Sequence, residues 1–175
     1  VADAVYDGTS AIMLSGETAA GHYPIQAVAT MAKIAENTEE NINYKKRFYN
    51  SDFYIKNEPD AISHATCGMA IDIDAKAIVV CTISGITARL VSRFRGPVDI
   101  IGLTTDEKTW RKLALSWGVT PKMCERFEST DVLFYSAKKV AEDALKLNKG
   151  DKLVITGGIA NGVSGSTNLI KVENV

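Results

Sequence analysis

The sequence predicts an α/β domain, a three-layer α/β/α arrangement around a five-stranded mixed, mainly parallel sheet, and three observations predict it. From about residue 58 onward, apolar runs of strand length alternate with amphipathic stretches of helix length. The first of these runs, Ala77-Ile78-Val79-Val80-Cys81, is apolar at every position, as expected of a strand covered on both faces. The last two strands follow one another with no helix between them, so one of them should run antiparallel.

The N-terminal residues read as a separate remainder. Val1 to Asp7 resembles the end of a helix closed by Gly8, and Ala11-Ile12-Met13-Leu14 reads as a short buried strand. SGETAAGHYP follows as a loop, and a long helix should then run from Pro24 to Phe48. Pro24 suits a first helical turn, and Val28, Met31, Ala35 and Ile42, with Ile34 beside them, make an apolar stripe. One strand has nothing within this segment to pair with. Residues 49–57 are aromatic and polar without a sustained period and read as a linker leading to Pro59.

The complete domain should occupy residues 58–175. Ile62, Ala65, Met69 and Ile73 form a helical stripe, with His64 at its boundary. After the first strand, Ile86, Leu90 and Phe94, with Ala88 and Val91, repeat at helical spacing. Val98 to Leu103 is a second strand, and Thr104-Thr105-Asp106 caps the next helix. Val119 to Cys124 is a third strand, which Pro121 directs to a sheet edge. Ser129-Thr130-Asp131 caps a long helix with the stripe Leu133, Ala137, Val140, Ala144 and Leu147. Leu153 to Thr156 and Asn168 to Glu173 supply the last two strands.

Composition excludes several classes of function. The chain has 175 residues, 46% of them hydrophobic, enough for one substantial core and a remainder. A formal net charge of −1 gives no field to hold nucleic acid or an anionic membrane, so any phosphate recognition must be local. Cys67, Cys81 and Cys124 are odd in number and widely spaced, which argues against a disulfide framework and a zinc site and fits a reducing cytosol. His22 and His64 have no partner at metal-site spacing. No leader opens the chain and no apolar run approaches the roughly twenty residues that span a bilayer, so a soluble cytoplasmic protein is expected.

Two loops carry the chemistry. Thr82, Ser84, Gly85 and Thr87 place three hydroxyls and a flexible backbone point between a strand and a helix start, where unpaired N–H groups can hold a phosphate without a lysine. The alternative is that Ser84 only caps its helix. Between the last two strands, Gly157 to Thr167 (GGIANGVSGST) is longer than a hairpin needs and rich in glycine and hydroxyls, so its amides could converge on an anion or simply be flexible. Both loops follow strand carboxyl ends, where doubly wound sheets bind ligands.

The opening VADAVYDGTSAIMLSGETAAGHYPIQAV resembles the end of the catalytic barrel of pyruvate kinases, with their IMLSGETA-G-YP segment, and a looser likeness continues through the chain. The resemblance implies that residues 1–48 are a TIM-barrel fragment, strand 8 and helix 8, and that residues 58–175 are the C-terminal allosteric domain. It puts Ser15, Gly16, Glu17 and Thr18 at the active-site mouth, with Ser15 and Glu17 as supporting residues. The other reading of that turn is structural, with Glu17 hydrogen-bonded to neighbouring backbone. It also implies that the principal lysine and the magnesium and potassium ligands lie in earlier barrel strands. The parent protein would then be a phosphotransferase, phosphoenolpyruvate and ADP to pyruvate and ATP, and this part alone would be inactive without cofactors of its own.

By the same resemblance Thr82, Ser84, Gly85 and Thr87 form an effector-phosphate loop, and Ser164, Gly165 and Thr167 belong to the loop that closes over it. Two departures narrow the ligand. Ile83 stands where animal enzymes activated by fructose bisphosphate carry a basic residue, and Glu128 to Leu133 lacks their Trp and Arg. A monophosphate effector, a sugar phosphate or AMP, is therefore expected. Family members commonly form tetramers, so a homo-oligomer is expected too. The alternative function is a stand-alone module for phosphometabolite binding or assembly, without catalysis.

Overall fold

The structure is a computed structural model that describes residues 1–126, 129–158 and 167–175. The chain divides into two compact units, Val1–Tyr44 and Lys45–Val175. In the first, α1 (Ala2–Tyr6) is followed by Gly8 at φ 89°, then by α2 (Gly16–Ala19) and α3 (Pro24–Glu40). Ala11 to Leu14, expected as a buried strand, forms none, and Met13 is 86% exposed. A strand needs a neighbour to satisfy its amides and carbonyls, and this unit supplies no second one among the described residues. None of the three helices has a buried residue, and Ile25, Val28 and Ile34 of α3 stay exposed.

The helix expected from Pro24 to Phe48 stops at Glu40, and α4 (Tyr44–Asn50) starts afresh. Thr38 Oγ1 donates to the Ile34 carbonyl and Asn41 Nδ2 donates to the Asn37 carbonyl, so side chains bond the acceptors of the last turn. Such local bonds compete with helix continuation. Phe48 of α4 is buried in the second unit, and Phe53 beyond it packs against Phe48, His64 and Phe94.

The second unit is the expected three-layer domain. Its five strands are β1 (Ala77–Cys81), β2 (Asp99–Thr104), β3 (Val119–Met123), β4 (Lys152–Gly158) and β5 (Thr167–Asn174). They lie in the order β3-β2-β1-β4-β5, with β5 antiparallel to β4 and the other pairs parallel. Pro121 sits in the edge strand β3, where its missing N–H disrupts one ladder rather than two.

Alternation along the strands feeds two apolar layers. Ile78, Val80, Ile100 and Val154 face α5 (Glu58–Asp72), α6 (Ile86–Arg93) and α7 (Glu107–Leu113), where Cys67, Ala70, Ile71, Ala88, Val91, Phe94 and Leu113 complete one core. Ala77, Val79, Ile101, Leu103, Leu153 and Ile155 face α8 (Thr130–Leu145) through Ala137 and Ala141.

The face of α5 that packs differs from the expected stripe. Ala65 and Met69 are exposed, while Ser63, Thr66, Cys67, Ala70 and Ile71 are buried. Burial of two hydroxyls is tolerated because Ser63 Oγ donates to the Pro59 carbonyl and Thr66 Oγ1 to the Ile62 carbonyl, both at 2.7 Å. Small side chains then let the helix lie close to the sheet. The three thiols are shielded: burial pushes Cys67 and Cys81 up to about 12 and Cys124 up to about 11, and Cys124 adds to the shift of Cys81.

Candidate functional site

The sheet order reverses between β1 and β4. From β1 the chain winds outward through β2 to β3, and then returns to the other side of β1 with β4. The carboxyl ends of the parallel strands β1 and β4 lie at one edge of the sheet, the edge beyond which doubly wound sheets bind their ligands. Cys81 and Gly157 are paired at the last β1–β4 register position, so the two loops start side by side. A glycine suits this close approach at 157, because a Cβ there would stand a tight 3.0 Å from the Cys81 carbonyl oxygen and 3.1 Å from its Cβ.

The first loop is fixed by its own hydroxyls and by β2. The Thr82 amide donates to the Leu103 carbonyl at 2.9 Å, and Thr82 Oγ1 accepts from the Gly85 amide at 3.0 Å. Thr104 Oγ1, buried at the end of β2, donates to the Ile83 carbonyl and accepts from the Asp106 amide. Gly85, rather than Ser84, occupies the cap position of α6, at φ 78°. Ser84 itself is exposed at the loop tip.

Thr87, in the first turn of α6, and Thr167, at the start of β5, bring the two loops together. Their hydroxyl oxygens are 2.5 Å apart and both residues are almost fully buried. Residues 80 positions apart thus share one hydrogen bond at that edge. Thr156 Oγ1, also buried, donates to the Leu169 carbonyl and steadies the β4–β5 pairing beside it. Ser164 and Gly165 lie outside the described residues.

Thr104 was legible only as part of a capping sequence. A hydroxyl that ends an otherwise apolar strand, beside the strand that launches the loop, was the available signal.

Ser15 and Glu17 meet in a separate tight turn of the first unit. The Ser15 amide donates to Glu17 Oε2 at 3.1 Å, and Thr18 Oγ1 donates to the Ser15 carbonyl. Bonds from its own amide and from that of Ser15 hold the Glu17 carboxyl below the usual carboxylate range. Among the described residues, no group of three or more His, Cys, Asp or Glu side chains could hold a metal ion. No helix among them is long and apolar enough to cross a membrane.

Sheet order and paired loops define an α/β/α domain of the doubly wound type, a class whose ligands bind beyond the carboxyl ends of the strands. Residues 60–173 match the model of the pyruvate kinase alpha/beta domain, and residues 1–28 match that of the pyruvate kinase barrel domain. The chain belongs to the pyruvate kinase family. It is 48% identical to a pyruvate kinase from Clostridium acetobutylicum and 42% identical to one from Staphylococcus epidermidis, in both cases over 100% of its own length. It spans 37% and 30% of those two proteins, about a third of the length of the curated relatives it matches. A crystal structure of a pyruvate kinase from Cryptosporidium parvum superimposes with a TM-score of 0.83 at 30% identity, covering 99% of this chain and 34% of that one.

Proposed function

We propose that this chain is the C-terminal portion of a cytoplasmic pyruvate kinase, an enzyme of glycolysis that transfers a phosphoryl group from phosphoenolpyruvate to ADP. In this reading residues 1–48 close the catalytic barrel, residues 49–57 connect, and residues 58–175 bind the phosphate of an allosteric effector. The single observation that carries the effector site is the bond between Thr87 and Thr167, which joins the two hydroxyl-rich loops at the reversal of strand order. A phosphate there would meet the open amides of α6 and the hydroxyls of Thr82, Ser84 and Thr87, with Ser164, Gly165 and Thr167 on the closing side. The exposed, uncharged Ile83 favours a monophosphate such as a sugar phosphate or AMP.

Calorimetric titration tests the site. Glucose 6-phosphate and AMP should each be tried against the chain and against Thr87→Val, which keeps the shape and removes the hydroxyl. A lost hydrogen bond to a charged group costs about 1.5–3 kcal/mol, so affinity should fall about tenfold to a hundredfold. Thr87→Ser should restore most of it. Equal binding by the Val variant would take this loop out of the site.

Ser15 and Glu17 support the active-site mouth in the same reading, and they are not sufficient for chemistry. Magnesium and potassium would be held by residues outside this chain, so the purified 175-residue chain should give no turnover in a coupled assay. Activity that rises in proportion to its concentration would refute this. Assembly of the whole enzyme as a homo-oligomer, with no nucleic acid or membrane partner, completes the proposal.

A further inference from the structure

The far end of α6 is tied to residues 54–60, the stretch that leads into α5 within the Lys45–Val175 unit. Asp60, in the first turn of α5, is 1% exposed, and Arg93, the last residue of α6, reaches it from a partly exposed position. Arg93 Nη2 lies 3.2 Å from each carboxylate oxygen and also donates to the Tyr54 carbonyl at 3.4 Å. The same carboxylate accepts from the Lys56 amide at 3.1 Å, while the Asp60 amide donates to Asn57 Oδ1. One guanidinium nitrogen thus bridges Tyr54 and Asp60, and the Asp60 carboxylate in turn holds the Lys56 amide.

We propose that α6 carries the state of the loop at residues 82–87 to residues 54–57 through Arg93, so that a ligand at one end of this helix stiffens the stretch leading into α5 at the other. This rests on the effector-phosphate reading of that loop.

The physical case has two parts. α6 is only eight residues long, about 12 Å at the rise of a helix, and its inner face is locked on the sheet by Ala88, Val91 and the adjoining Phe94, so it moves as one piece. The hold at its end is incomplete. Asp60 Oδ1 is buried yet accepts no hydrogen bond, and the Arg93 side chain is 37% exposed, so the guanidinium can leave the carboxylate for water. A closed contact and an open one are both accessible, and a ligand that steadies α6 favours the closed form. In the closed form the Tyr54 carbonyl and the Lys56 amide are held together with α6.

Hydrogen exchange followed peptide by peptide tests this on the full chain, with glucose 6-phosphate and AMP as probes. Ligand should slow exchange both at residues 84–88 and at residues 54–58, the latter about fivefold or more, the low end of ordinary coupling between sites. In Arg93→Met the first response should persist and the second disappear. Arg93→Gln, which keeps much of the packing but gives up the charge and the reach to Asp60 and Tyr54, should do the same and covers the case in which the Met variant does not fold. Protection at 84–88 without a response at 54–58, or an undiminished response at 54–58 in the Gln variant, would overturn the coupling while leaving the site. No protection at 84–88 with either probe would overturn the site, and the coupling with it.

Discussion

Phe94→Ala should lower the stability of the Lys45–Val175 unit by about 3–5 kcal/mol, the range for truncating a buried aromatic ring. Phe94 is 1% exposed and meets Phe53 and His64 edge-on, with ring centroids 5.0 and 5.1 Å away. Phe48 stacks on His64 from the other side at 5.0 Å. Removal of this ring opens a cavity between α6, α5 and the irregular residues 51–57, and Phe53, held outside any helix, loses one of its three ring contacts. Domains of this kind have about 5–15 kcal/mol in total, so the loss is a large share. Trp110 and Trp117 both lie in this unit, and their fluorescence in urea reports its unfolding alone. The midpoint should drop with little change of slope. Ile86→Ala, on the same helix but 42% exposed, should change stability by about 0.5 kcal/mol or less. A Phe94→Ala midpoint as close to the parent as that of Ile86→Ala would mean that the aromatic cluster is not part of the core.

That cluster also marks the boundary of what the sequence could reveal. Continuous apolar runs identified β1, β2 and β4, and Pro121 put β3 at an edge, because burial on both faces and a missing amide leave their mark on composition. The N-caps Asp106 and Ser129 were readable for the same reason: each accepts a bond from a backbone amide three residues on. The packed face of α5 was not. Its interior positions include Ser63 and Thr66, and periodicity that counts only apolar residues turns such a helix the wrong way. Phe48, Phe53 and the Asp60–Arg93 pair were hidden because their partners are set by tertiary contacts across 30 or more residues in the latter case. At the candidate site the residue types were legible, while the meeting of Thr87 with Thr167 depended on β4 returning beside β1, which only strand order fixes.

Gly85→Ala should join the loss of stability to loss of ligand, and a second glycine separates its causes. At φ 78° an alanine incurs about 1–2 kcal/mol of left-handed backbone cost. Its methyl group would also stand 3.1 Å from Thr109 Cγ2 and 3.2 Å from Leu113 Cδ2, overpacking that adds about 1–3 kcal/mol unless α7 yields. Gly118, at φ 64° with open space where a Cβ would go, carries the first cost without the second. Gly118→Ala should therefore destabilise by about 1–2 kcal/mol and leave the affinity for glucose 6-phosphate or AMP as it was. Gly85→Ala should cost about 2–5 kcal/mol and weaken binding about tenfold or more, because relief of either clash moves the amide bonded to Thr82 Oγ1 and the first turn of α6 behind it. Equal destabilisation by the two substitutions would show that α7 gives way freely around Gly85. Unchanged affinity in folded Gly85→Ala would mean that the ligand does not rest on the amides at the start of α6, whatever else the loop does.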